Sequence, residues 1–121
     1  MLGVIQMYVG EPDHIKVYGE GMWRVCTLTI PAQKLIITLL RQVTPAECGM
    51  RVMLNATAKS NLCKDLGMEL SLLNHKLKEL EEIGMIRLKT RNLYEINPWL
   101  FGKGDWIYVS RLRKTWEVID L

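Results

Sequence analysis

The sequence predicts a mixed α+β chain in which short strands are set around amphipathic helices. Three observations carry that expectation. Leu35, Ile36, Leu39, Leu40 and Val43, and further on Leu73, Leu77 and Leu80, recur at helical spacing. His14-Ile15-Lys16-Val17-Tyr18 and Leu93-Tyr94-Glu95-Ile96 are instead short runs rich in β-branched and aromatic residues. Glycine, proline and asparagine punctuate the boundaries between the two kinds of segment. With 121 residues, 49% of them hydrophobic and 24% charged, the chain has the length and composition of one globular domain.

Taken in order, residues 1–28 read as N-terminal strands. Val4-Ile5-Gln6-Met7-Tyr8-Val9 is extended, Gly10-Glu11-Pro12-Asp13 is a turn, and Ile15 and Val17 alternate with polar residues as on a half-buried strand. Gly19 and Gly21 break that strand, and Met22 to Leu28 is a third short strand or an irregular lead-in. Thr29 and Pro31 begin a helix over about residues 30 to 43. A helical turn at Thr44-Pro45-Ala46-Glu47 ends at Gly49, and Arg51-Val52-Met53-Leu54 is a short strand. Asn55 caps a helix over residues 56 to 66, with Ala58 or Lys59, Leu62, Cys63 and Leu66 facing inward and Gly67 closing it. Residues 70 to 83 form the next helix, its buried stripe marked by Leu73, Leu77, Leu80 and Ile83, and Gly84 ends it. Met85 to Lys89 and Leu93 to Ile96 are strands joined by Thr90-Arg91-Asn92. Pro98 closes the second strand. Residues 99–121 supply a glycine-bearing loop and a helix of about residues 106 to 118, capped by Asp105, with Trp106, Val109, Leu112 or Arg113, and Trp116 along one face.

Helix, strand, helix, tight turn, helix and two-stranded hairpin over residues 29–98 is the order of a winged helix-turn-helix, and the charge agrees with it. Residues 1 to 50 hold four Lys/Arg and four Asp/Glu, whereas residues 51 to 114 hold twelve against seven. The net charge of +3 thus resides in the half that carries the helix pair and hairpin. A duplex-binding protein of this kind lays its second helix in the major groove. The outward stripe of that helix is Leu70, Ser71, Asn74, His75 and Lys78. Asn74 has the donor and acceptor that suit adenine, Ser71 and His75 can bond bases or phosphates, and Lys78 suits a phosphate. Arg87, Lys89 and Arg91 on the hairpin, Lys59 and Lys64 on the preceding helix, and Lys103 are further phosphate candidates. Any one of these is equally an ordinary solvated side chain; the combination gives the pattern its meaning. Trp23, Trp99, Trp106 and Trp116 form a candidate dimer interface, or else pack the last helix onto its own domain.

Tyr94-Glu95-Ile96-Asn97-Pro98-Trp99-Leu100-Phe101-Gly102-Lys103-Gly104-Asp105-Trp106, followed by Leu112-Arg113, resembles the signature of RepL-type replication proteins of bacterial plasmids and phages. The resemblance covers about residues 14 to 114. It implies replication initiation or maintenance through binding of origin DNA and supplies no catalytic residue. The homodimer expectation comes instead from the two-fold sites that many winged-helix proteins read, and host replication proteins are further candidate partners. One departure stands out. Family members often start the recognition helix with a Ser or Thr cap, whereas here Glu69 holds that place and Leu70 follows it instead of a basic residue. A carboxylate there suits the helix dipole but repels phosphate.

Competing classes are a winged-helix transcriptional repressor or partition-type protein, and a protein-interaction module. Enzymatic readings lack their residues. His14 and His75 are far apart and form no two-histidine metal motif, no phosphate-binding Gly-x-x-x-x-Gly-Lys-Ser/Thr loop is present, and Cys48 and Cys63 lack zinc-ligand spacing. No cofactor or metal is therefore expected. Three scattered cysteines suit a reducing cytoplasm, and no apolar run is long enough for a membrane span.

Overall fold

Local signals and long-range contacts build different parts of this chain. The computed structural model describes residues 5–8 and 14–119, with side-chain surroundings for residues 14–116. The turn expected at residues 10–13 lies outside the described residues. Strands β1 (Ile5–Tyr8) and β2 (His14–Val17) pair antiparallel, with Ile5 opposite Val17 and Tyr8 opposite His14. Ile15 and Val17 are buried and Lys16 between them is not, as period-two alternation requires.

Met22 to Leu28 is not a strand. Helix α1 spans Gly19–Cys26, so the N-terminal part is two strands and a helix. The apolar positions that pack on the core are Met22, Val25 and Leu28, a helical spacing hidden within a uniformly apolar run. Gly21 is where α1 presses on the chain that returns after the hairpin: a Cβ there would overlap the Leu100 carbonyl.

Helix α2 (Ile30–Gln42) starts at Thr29 with Pro31 in its first turn and buries Ala32, Leu35, Ile36, Leu39 and Leu40. A single 3-10 turn, Ala46–Cys48, ends at a left-handed Gly49 and leads into β3 (Arg51–Met53). Helices α3 (Ala56–Leu66) and α4 (Leu70–Glu82) follow, then β4 (Ile86–Thr90) and β5 (Leu93–Ile96). These three strands form an antiparallel sheet in the order β3-β5-β4. The common core lies between α2, α4 and this sheet, where Leu35, Leu39, Leu73, Leu80, Ile86 and Ile96 are each at most 1% exposed. Each such side chain contributes about 1.5–3 kcal/mol relative to remaining in water. Ile83, expected in the buried stripe, is 36% exposed because it is the C-cap and no longer follows the helical register of Leu73, Leu77 and Leu80.

The segment after Pro98, expected from its glycines to be a loop, holds a strand. In β6 (Phe101–Gly102), Phe101 lies opposite Val17 and Gly102 opposite Lys16, completing a second sheet in the order β1-β2-β6. The N-terminal strands are thereby sewn to the C-terminal segment. Helix α5 (Trp106–Ile119) then packs on the core through Val109 and against the 3-10 turn at Ala46–Cys48.

Candidate nucleic-acid interface

Helices α3 and α4 are joined by only three residues. The Asn55 side chain caps α3 by accepting from the Ala58 N–H at 2.9 Å. At the other end Gly67 adopts a left-handed backbone, φ 64°, which only glycine reaches without strain. Leu62 of α3 and Leu73, Leu77 and Leu80 of α4 are buried. The opposite stripe of α4, Leu70, Ser71, Asn74, His75 and Lys78, is exposed, as the periodicity predicts.

The candidate cations divide into two groups. Lys64, Lys78 and Arg91 are exposed, with Arg91 at the hairpin tip beside Asn92, whose φ is 63°. Ala58 is half-buried, and the Lys59 ammonium reaches across to α4, donating to Asn74 Oδ1 at 2.9 Å. The second group is engaged elsewhere. Arg87 does not project from the hairpin as an open phosphate contact: its Nε pairs with Glu95 at 3.1 Å, its Nη1 donates to the Trp116 carbonyl at 3.2 Å, and its guanidinium lies 3.9 Å from the Trp116 ring centre. Lys103 is likewise turned inward, donating to the Val43 carbonyl at 2.7 Å. Lys89 retains an exposed surface but stands 3.7 Å from Glu95.

Glu95 explains the part of this division that falls on the hairpin. It is 6% exposed and faces Arg51 and Arg87 across neighbouring strands. A buried carboxylate demands partners, and it draws in Arg51 at 3.4 Å as well as Arg87 and Lys89. The single acid within the Leu93–Ile96 run was the signal available for this hub.

The tryptophans separate in the same way. Trp116 is 7% exposed and packs on its own domain, so it drops out of the candidate dimer interface. Trp23, Trp99 and Trp106 are 67%, 41% and 53% exposed. Trp106 therefore does not share the buried face of Val109 and Trp116. It flanks Arg113 instead, whose guanidinium sits 4.6–4.7 Å from the ring centres of Tyr18, Trp99 and Trp106 while Nε donates to the Pro98 carbonyl. Seven residues separate Trp106 from Arg113, which places both on one face of α5. Burial pushes the Tyr18 hydroxyl pKa above its usual 10.0, against the opposing pull of Arg113. Burial and the nearby Glu81 raise Tyr94 as well.

A cleft of about 610 Å³ opens between α3, the start of α4 and the tip of the hairpin, lined by residues that include Lys59, Ser60, Glu69, Leu70, Asn74 and Asn92. Among the described residues no group of three or more His, Cys, Asp or Glu could hold a metal ion, and no helix is long and apolar enough to cross a membrane. Comparison with protein-family models, curated proteins and solved structures found no match to this chain.

Proposed function

We propose that this chain is a sequence-specific duplex-DNA-binding protein of the winged helix-turn-helix kind, acting in plasmid or phage replication initiation or maintenance by binding origin DNA in the cytoplasm. One observation carries the DNA-binding reading. The exposed stripe Ser71, Asn74, His75 and Lys78 follows a three-residue turn and stands with the exposed cations Lys64 and Arg91, while the opposite side of the same helix is core. The replication role comes from the resemblance over residues 94–106. A homodimer through the exposed Trp23, Trp99 and Trp106 suits a two-fold DNA site. So few free cations give one subunit weak hold on DNA, which also favours paired or repeated sites.

The test is a footprint of the purified protein on the DNA around its gene at two salt concentrations. A short repeated or palindromic footprint that weakens steeply with salt supports the reading. Equal protection of unrelated duplex, or none at low salt, rejects it. Loss of replication on deletion of the gene, as opposed to raised transcription, separates an initiator from a repressor.

A further inference from the structure

Beyond a favourable place on the α4 dipole, the Glu69 side chain holds nothing in the fold. It is the N-cap residue of α4, with extended φ/ψ of −78° and 157°, yet its side chain makes no capping hydrogen bond. It is exposed, and among the described residues its carboxylate has no ion pair or hydrogen bond. It is also the only acid lining the cleft between α3, α4 and the hairpin. On a face meant for phosphate, an unneutralised carboxylate weakens binding to every sequence alike. What it can add on that face is recognition of a group that phosphate cannot supply.

In the major groove that partner is an exocyclic amine. Residues at the start of a recognition helix reach base edges, and a carboxylate accepts from cytosine N4. Adenine N6 is the poorer match, because the neighbouring N7 is itself an acceptor facing the same groove. Of the other oxygen-bearing side chains that line the cleft, Asn74 already accepts at Oδ1 from Lys59 at 2.9 Å and Ser60 and Asn92 are uncharged, so Glu69 is its charged acceptor. Beside it Leu70 is 53% exposed, an apolar surface of the kind that meets a thymine methyl.

We infer that Glu69 is a specificity-determining residue that reads a C·G base pair by accepting a hydrogen bond from cytosine N4, with Leu70 against a neighbouring thymine. The inference rests on the DNA-binding reading above. The departure from a Ser or Thr cap is then an exchange of general affinity for discrimination.

The experiment is selection of binding sites from random-sequence duplexes by the wild-type protein, Glu69→Gln and Glu69→Ala. The wild type should enrich a motif with one fixed C·G pair. Glu69→Gln should shift that position alone toward adenine, the base glutamine reads with its paired donor and acceptor. Glu69→Ala should lose the preference there, with discrimination falling about tenfold, while its affinity for unrelated duplex rises. An identical motif in all three proteins overturns the role of Glu69 and leaves the DNA-binding reading intact. Failure of the wild type to enrich any sequence overturns both. The two substitutions touch no folded-state bond, and matching thermal melts verify that the proteins compared are folded.

Discussion

The segment Asn97–Gly104 and the outer stripe of α4 are opposites in how they spend their polar groups. Asn97 is 7% exposed and uses both ends of its side chain, donating to the Gly84 carbonyl at 2.7 Å and accepting from the Trp99 N–H at 2.9 Å. Its own carbonyl accepts from Leu100 and Phe101, and Phe101 is fully buried. Along α4, by contrast, Ser71, Asn74, His75 and Lys78 are exposed, and a Lys59–Asn74 hydrogen bond ties α3 to that stripe. The most distinctive motif of the sequence is thus a seam that holds the two sheets together. The chemically plain stripe is the one left exposed.

Substitutions in the two regions should therefore separate folding from binding. The largest effect is expected in the seam. Phe101→Ala should destabilise the fold by about 3–5 kcal/mol, measured by urea unfolding, because it empties a fully buried aromatic site. A loss below about 1 kcal/mol would erase the distinction between the two regions. On α4, joint replacement of Asn74, His75 and Lys78 by Ala should leave stability nearly unchanged. It should weaken binding to the footprinted DNA by roughly 30- to 150-fold, the equivalent of about 2–3 kcal/mol. Unchanged, salt-dependent affinity would remove α4 from the interface and favour a protein-interaction module.

The hairpin sharpens the contrast with two arginines. Arg91→Ala should weaken binding to all duplexes alike and reduce the slope of log affinity against log salt by about 1, without a stability change. Arg87→Ala should leave that slope unaltered and reduce stability by roughly 1–2 kcal/mol, since it removes a partly screened ion pair and the stacking on Trp116. The smallest effect is alkaline. Burial raises the Tyr18 pKa, so the folded chain holds that proton more tightly than the unfolded one. The resulting stability is complete below the ordinary value of 10.0 and is lost as pH climbs through the raised one. Melting of Tyr18→Phe should accordingly fall less steeply than wild type above about pH 10.

Much of the candidate site was legible because its signals are local. Asn55 caps α3, Gly67 ends it, and the α4 stripe follows from leucines at helical spacing, all within a few residues of one another. The inward engagement of Arg87 and Lys103 is not legible in the sequence, because a cation on a strand or loop carries no local mark of where its charge will go. A buried carboxylate on the adjacent strand claims the first, and a carbonyl at the end of α2 claims the second. Arg113 was noticed only as one of two alternatives on its helix face. Its ring partners Tyr18 and Trp99 come from distant parts of the chain.

By itself the sequence determined α2 through β5, because caps, glycines and hydrophobic period act over a turn or two of chain. Tertiary structure alone decided that residues 19–26 coil instead of extending, that Phe101 and Gly102 pair with β2, and which cations face solvent. Those outcomes depend on surfaces brought together from opposite ends of the chain: the Leu100 carbonyl against Gly21, Val17 against Phe101, and Glu95 beneath Arg87. No local propensity encodes such meetings, since each exists only once the remaining elements have packed.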